Sequence, residues 1–209
     1  VMTGTWFYYS DGARLNKYNT VTGVLITLPN WDTTNWSGIT DMKYDHERYI
    51  YIANSAGSTS AIIAWDTCSD TGIVYNNVGG ALGATCLEIT GTRVWMGQNT
   101  ATVTPIIYAV TKLDPTAAMP ASLTYSTNIA LTSMLAENTI PKCMMLDNYE
   151  NLHLAPTNTA AASYRLVKAT RDKSDGTNAG FAQSLTGLSV IAATMGLINV
   201  SDDIFIYTY

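Results

Sequence analysis

The chain repeats the segment Tyr49-Ile50-Tyr51-Ile52-Ala53 in outline as Arg93-Val94-Trp95-Met96-Gly97, Asn151-Leu152-His153-Leu154-Ala155 and Asp203-Ile204-Phe205-Ile206-Tyr207. Each copy has an aliphatic residue, a ring and a second apolar residue in the same order, and Thr5-Trp6-Phe7-Tyr8-Tyr9 is a looser fifth copy. The ring positions are 44, 58 and 52 residues apart, with 44 more back from Tyr51 to Phe7. This recurrence predicts a repeat architecture in which each repeat is one supersecondary unit.

Three further apolar segments accompany each copy and complete a predicted unit of four strands. A segment that ends in a polar turn precedes the copy and forms a hairpin with it, at residues 41–45, 86–90, 143–147 and 195–199. A third segment ends in an Asn, Asp or Thr that can turn the chain, at residues 15–19, 62–66, 110–114 and 166–170. After a Gly or Pro, a fourth segment follows at residues 24–28, 73–76, 123–126 and 181–185.

The stretch Leu15-Asn16-Lys17-Tyr18-Asn19-Thr20-Val21-Thr22-Gly23 resembles the strand and turn of NHL-, quinoprotein- and YVTN-type propeller repeats. The resemblance implies an all-β chain, a β-propeller-like array of four-stranded antiparallel blades with about four blades and a partial one. Radial packing of such blades buries both apolar faces of each sheet. Trp65-Asp66 lies where WD40 repeats carry their dipeptide, but in one copy only and without a Gly-His partner, and the sialidase Asp-box is absent.

The predicted repeats form a single propeller domain or propeller segment, at about residues 1–30, 31–78, 79–128, 129–186 and 187–209. In this phase the chain opens just before the second strand of a repeat and closes on another second strand. We therefore expect a segment of a longer propeller, a protomer whose ring is completed by a partner chain, or a different all-β repeat array. Residues 131–138 are the one stretch whose sequence is compatible with a helix.

Composition and charge exclude several partners. The net charge is −5 and only 11 Lys and Arg are present, scattered along the chain, which argues against nucleic acid and anionic membranes. No apolar run approaches the ~18 residues of a membrane span, so no membrane insertion is expected. The 3 cysteines lack CxxC spacing and predict neither a disulfide framework nor a zinc site.

No familiar catalytic or metal-binding set is found. His153 stands at a ring position of the repeat and His46 in a turn, and neither has metal-ligand spacing. Two acidic turns, at residues 66–70 and 172–176, do not match a calcium loop and are explained by turn chemistry. The glycine-rich residues 79–83 lack the Lys-Ser/Thr of a phosphate-binding loop. We expect no metal, no cofactor and no enzymatic activity.

Aromatic and acidic residues supply the candidate ligand-binding site. Trp31, Trp36 and Asn35 lie in the connection at residues 29–38, where ring stacking and amide hydrogen bonds could hold a glycan. The alternative is that both tryptophans fill the gap between two blades. Asp41 and Glu88 fall on predicted innermost strands, where a glycosidase-like pair would face a central channel.

Three functions remain open. Only 13% of residues are charged, and Thr, Asn and Ser supply much of the polarity, which favours an extracellular structural or adhesive propeller. Such a protein would mediate attachment or assembly, as part of a viral or phage appendage or a surface adhesin, at an extracellular or virion surface with protein partners or self-assembly. The alternatives are a glycan-binding or glycan-cleaving propeller using Trp31, Trp36, Asp41 and Glu88, and a protein-interaction scaffold.

Overall fold

A computed structural model describes the chain at residues 1–56, 61–76, 83–98, 106–121, 123–124, 127–130, 139–146, 152–158, 166–170, 180–185, 195–200 and 203–208. The described residues form strands and turns and contain no helix. The strands group into successive antiparallel sheets that follow the order of the repeats. The chain is thus all-β, with propeller-like sheets of the predicted kind.

The first two sheets are formed by residues 2–76. The first has the order β1-β2-β3-β4 and comprises β1 (Met2–Thr3), β2 (Trp6–Ser10), β3 (Leu15–Asn19) and β4 (Leu25–Thr27). The second contains β5 (Ile39–Tyr44), β6 (Tyr49–Asn54), β7 (Ile62–Asp66) and β8 (Thr71–Asn76). All residues of β6 and β7 are buried, which explains why these strands are nearly continuous apolar runs: both faces of the sheet are covered.

The remaining sheets follow the same plan. The third contains β9 (Ala84–Ile89), β10 (Arg93–Gln98), β11 (Ile106–Thr111) and, after β12 (Leu123–Thr124), β13 (Thr127–Ala130). The fourth contains β14 (Thr139–Leu146), β15 (Leu152–Asn158), β16 (Leu166–Thr170) and β17 (Gly180–Leu185). The last described sheet is the hairpin of β18 (Met195–Val200) and β19 (Asp203–Thr208).

The leading strands of the repeats lie beside one another. β5 contacts β9, β9 contacts β14, and β14 contacts β18. Two apolar cores fill the spaces between the first three sheets. One joins the first sheet to the second through Tyr8, Leu15, Ile50 and Trp65, and the other joins the second to the third through Tyr51, Tyr75, Val94 and Met96, among others.

Three sequence predictions are corrected. The first repeat was expected to begin with its second strand, but Met2–Thr3 pairs with β2 and supplies a short leading strand. The fourth strand of the third repeat was predicted at residues 123–126, whereas Leu123 pairs in parallel with Tyr75 of the second sheet. The third strand of that repeat was predicted at residues 110–114, whereas the observed strand is β11, at Ile106–Thr111.

The misplaced fourth strand has a clear physical reason. Short apolar segments fit several neighbouring strand positions equally well, and tertiary contacts choose among them. Leu123 packs against the core between the second and third sheets, which draws β12 to the second sheet and leaves the edge of the third to β13. Asp114 caps a turn by accepting from the backbone N–H of Thr116 at 2.8 Å, so it follows the strand. The allowed helix at residues 131–138 lies outside the described residues.

The looser fifth copy of the repeat is also shifted by one residue. The repeat alignment places Phe7 at the position of Tyr51, which faces the third sheet. In the structure Tyr8 is the residue that faces the next sheet, while Phe7 is 41% exposed. Because side chains alternate along a strand, a slip of one residue exchanges the two faces.

Candidate functional site

The loop at residues 29–38 packs its tryptophans inside the protein. Trp31 and Trp36 are 6% and 8% exposed, with ring centroids 5.0 Å apart in an edge-to-face arrangement. Trp31 also lies 5.8 Å from the Trp65 ring and donates its indole N–H to the carbonyl of Ala13 at 3.0 Å. The rings therefore fill the gap between the first two sheets, and little of either face is open to a sugar.

Asn35, in the same loop, is exposed, but its polar groups form hydrogen bonds within the protein. Its side-chain amide donates to the Asp32 carboxylate at 2.7 Å, and its backbone carbonyl accepts from the side-chain amide of Asn54 at 2.8 Å. These bonds fix the loop against the end of β6. The structure does not bring Asn35, Trp31 and Trp36 together as an open platform.

The acids Asp41 and Glu88 lie on β5 and β9, which are neighbouring strands. Asp41 accepts from the backbone N–H of Leu87 at 2.9 Å, and Glu88 accepts from the Lys43 ammonium at 3.2 Å. Burial opposes the charge on Lys43, but the attraction of Glu88 and Asp41 outweighs it and raises the pKa of Lys43 above its usual value. This arrangement ties the second sheet to the third.

The carboxylates of the β7–β8 turn form ion pairs within the protein. Asp66 pairs with Arg48 through Nε at 3.0 Å and Nη2 at 2.7 Å, and Asp70 pairs with Lys17 of the first sheet. Asn30 donates to the Asp70 carbonyl at 2.9 Å. Within the described part of the chain, no group of three or more His, Cys, Asp or Glu is placed to hold a metal ion.

A cleft of about 370 Å³ lies between β2 and β5. Phe7 and Tyr9 are among its lining residues, and their rings stack on each other, 6.0 Å apart and nearly parallel. Ser10, Thr40 and Asp41 supply its polar lining. The cleft combines an aromatic pair with hydroxyl and carboxylate groups, which is a combination that suits a small hydroxylated ligand.

The outer face of the first sheet carries an apolar row that the sequence interpretation missed. The row consists of Met2, Phe7, Tyr18 and Leu25, which are 49%, 41%, 39% and 58% exposed. The strand register makes each member the direct cross-strand partner of the next, so the row crosses all four strands. Val21 and Val24, in and after the β3–β4 turn, are exposed as well, at 76% and 49%.

One signal for this row was present in the sequence. Trp6, Phe7, Tyr8 and Tyr9 are four consecutive aromatic residues. Since successive residues of a strand point to opposite faces, consecutive large rings put apolar surface on both sides of the sheet. A sheet with one face in water carries polar residues at alternate positions instead.

Comparisons with known proteins support the fold and assign no family. No known protein family matches the chain, and no curated protein matches it. Among solved structures, it is similar to the extracellular domain of a putative one-component system from B. thetaiotaomicron, with a TM-score of 0.62 and 13% identity over 99% of this chain and 25% of that chain. A second is the extracellular domain of a putative hybrid two-component system from B. thetaiotaomicron, with a TM-score of 0.55 and 13% identity over 98% of this chain and 32% of that one.

At 13% identity these likenesses show the fold alone. The chain spans about a quarter to a third of the length of the solved chains it matches. The class defined by fold and surface is therefore an all-β protein of successive antiparallel blades with one apolar blade face exposed. Among the described residues, no helix has the length and hydropathy needed to span a membrane.

Proposed function

We propose that this protein is a non-enzymatic, extracellular structural β-propeller that acts by self-assembly. The observation that carries the proposal is the apolar row Met2, Phe7, Tyr18 and Leu25 on the first sheet. Exposed apolar surface that is continuous over several strands marks an interaction site. The partner is a second copy of this chain, because the same sequence already builds sheet-to-sheet interfaces of this kind.

Covering the row contributes favourable free energy to association. Complete burial of a large apolar side chain is worth about 1.5–3 kcal/mol, and the four members are roughly half exposed, so covering them contributes on the order of a few kcal/mol. The low charge of the chain, 13% of residues, reduces the cost of removing the surrounding surface from water. An interface of modest strength that forms at high local concentration is expected.

Other features support the location and the lack of catalysis. The two similar solved structures are extracellular domains, and the chain is poor in charged residues, at 13%. Asp41 and Glu88 bond to groups of the protein itself, which favours a structural role over acid and base chemistry. A place in a viral or phage appendage or a surface adhesin is the setting we propose for such an assembly.

The test is sedimentation velocity over a wide range of protein concentration. We expect the wild-type protein to associate as concentration rises and the Leu25→Lys variant to remain monomeric, because a buried lysine would have no partner in the row. Thr33→Lys adds the same charge in the exposed loop before β5 and is the matched control. A wild-type protein that stays monomeric, or a Leu25→Lys variant that associates as the wild type does, would overturn the proposal.

Glycan binding is a second candidate, and the cleft between β2 and β5 favours it. The aromatic residues Phe7 and Tyr9 could stack on a sugar while the hydroxyl groups of the polar lining meet its own hydroxyls. A glycan array with wild-type protein and Tyr9→Ala tests this. Binding that is lost in the variant supports it, and an array without signal removes it.

A further inference from the structure

The leading strands β5, β9 and β14 carry the same irregularity at the same place. In each strand one residue is skipped in the pairing with the strand that follows. The residue after the skipped one pairs with a small residue in every case: Asp41 with Ala53, Cys86 with Gly97, and Cys143 with Ala155. Asp41, Cys86 and Cys143 therefore occupy one equivalent position in three successive sheets.

Hydrogen bonds of two skipped residues, Thr40 and Thr85, support this equivalence. Thr40 donates its hydroxyl to the Ala53 carbonyl at 3.4 Å. Thr85 donates its hydroxyl to the Gly97 carbonyl at 3.3 Å, which is the same bond in the next sheet. Thr40 also donates to the Ala84 carbonyl of β9 at 2.8 Å. Neighbouring leading strands thus approach each other closely at the place where both are irregular.

The side chain at the equivalent position points toward the next leading strand. Asp41 of β5 accepts from the backbone N–H of Leu87 at 2.9 Å, and Leu87 is the residue after Cys86. Because β9 contacts β14 as β5 contacts β9, the same direction carries the Cys86 side chain toward Cys143. A disulfide needs Cα atoms about 4.4–6.8 Å apart, and a separation that one aspartate side chain bridges is of this size.

The electrostatics of the site agree with this placement. Burial raises the pKa of the Cys86 thiol to about 12, and the negative charges of Asp41 and Cys143 act in the same direction. Burial opposes the charge of Lys43 on β5, and Cys143 is among the groups whose attraction outweighs it and raises the pKa of Lys43. Cys86 is buried and Cys143 is partly exposed, so one thiol of the pair is sheltered and the other can be reached from solvent.

We propose that Cys86 and Cys143, which are free thiols in the structure, form a disulfide between the third and fourth sheets when the protein meets a disulfide oxidant. The Cys143 thiolate attacks one sulfur of a disulfide such as oxidised glutathione, which forms a mixed disulfide and releases one glutathione thiolate. Cys86 loses its proton and attacks the Cys143 sulfur, which releases the second glutathione. Two protein thiols are oxidised, and one small disulfide is reduced to two thiols that take up the two protons.

The bond would fasten two sheets together at their leading strands. It forms within one copy of the chain, so it does not depend on the proposed self-assembly. Disulfides persist in oxidising extracellular environments, which is the location proposed for this protein. The third cysteine, Cys68, is exposed in the β7–β8 turn of the second sheet and has no part in the pair.

Oxidation of the folded, fully reduced protein with oxidised glutathione at neutral pH tests the pair. The reaction is stopped with acid, the chain is unfolded, remaining thiols are alkylated, and unreduced peptides are identified by mass spectrometry. We expect wild-type protein and the Cys68→Ser variant to yield a peptide pair joined through Cys86 and Cys143. In Cys68→Ser, the intact single chain should become lighter by about 2 Da, the mass of two hydrogens.

Two controls make the result decisive. Cys143→Ser should leave Cys86 fully alkylated after unfolding, and oxidised Cys68→Ser should unfold at a higher urea concentration than the same variant in its reduced form, because the bond restricts the unfolded chain. Three outcomes in Cys68→Ser would overturn the inference: Cys86 that remains alkylated in full, Cys143 that stops as a mixed disulfide with glutathione, or a disulfide that joins two copies of the chain.

Discussion

Replacing Asp66 with asparagine should destabilise the protein in a pH-dependent manner. The Asp66 side chain is 2% exposed and faces the Arg48 guanidinium through two hydrogen bonds of 3.0 and 2.7 Å. It also accepts from the Cys68 N–H and the Ser69 hydroxyl, each at 2.9 Å. Arg48 in turn donates to the carbonyl of Pro115 at 2.9 Å, so the pair ties the second sheet to the segment after β11.

The pKa of Asp66 indicates how much stability the replacement should cost. Burial favours the neutral acid, but the bonds from Arg48, Cys68 and Ser69 outweigh burial and lower the pKa from 3.8 to about 2. At about 1.4 kcal/mol per pKa unit, this shift corresponds to about 2.5 kcal/mol of stability. Because Arg48 is 23% exposed, water and salt screen the pair, and we expect a loss of about 1.5–2 kcal/mol in Asp66→Asn.

The sign of the pH dependence follows from the lowered pKa. The stability due to the Asp66 carboxylate is fully present above the unfolded pKa and is lost as pH falls through the folded pKa, so the window is 3.8 down to about 2. Urea unfolding of wild type and Asp66→Asn should therefore differ by a constant amount near neutral pH, and the difference should shrink across this window.

The matched control for Asp66→Asn is Asp114→Asn. Asp114 caps a turn by accepting from Thr116 and lies on the exposed surface, so its replacement should cost less than about 0.5 kcal/mol. Equal urea midpoints for wild type and Asp66→Asn at neutral pH would refute the reasoning. So would a difference that stays constant down to pH 2.

Three further predictions concern packing and reactivity. A Cβ at Gly83 would lie 2.6 Å from the Ser55 carbonyl oxygen, so Gly83→Ala should lower the free energy of unfolding by about 1–3 kcal/mol. Gly91→Ala, where no atom lies within 4 Å, should be neutral; equal losses in the two variants would contradict this. Burial raises the pKa of the Cys86 thiol to about 12. Alkylation of the native protein at neutral pH should therefore label the exposed Cys68 and reach Cys86 only after unfolding. Rapid labelling of Cys86 in the native protein would be inconsistent with its burial. Trp36→Ala should cost about 3–5 kcal/mol in urea unfolding because it empties the inter-sheet core, and a loss below about 1 kcal/mol would mean that the ring is not packed there.

For some strands, both the first and the last residue were predicted correctly from the sequence. The predicted third strands at residues 15–19, 62–66 and 166–170 coincide with β3, β7 and β16. Each is bounded by local signals, an alternating or continuous apolar run and an Asn, Asp or Thr at its end, and such signals need no knowledge of distant residues. The predicted third strand at residues 110–114 failed because its Asp114 begins a turn after the strand has ended.

The candidate site was predicted less well than the strands. Asp41 and Glu88 do lie on neighbouring strands, but their partners are Leu87 and Lys43, which sequence spacing did not indicate. The sequence allows Trp31 and Trp36 to form a glycan platform or to fill the gap between blades, and their burial agrees with the second interpretation. The exposure of a ring depends on which sheet lies over it, and that is a non-local property.

The amino-acid sequence by itself determined the repeat and the all-β class, because period-two alternation and turn residues act over a few neighbours. Only the tertiary structure decided the pairing of Leu123 with Tyr75, the ion pair between Lys17 and Asp70, and the exposed row on the first sheet. Each of these joins residues far apart in the chain or depends on which sheet lies over a given face. A one-residue change in register exchanges the buried and exposed faces of a strand, so the interaction surface could be identified only once the sheets were packed.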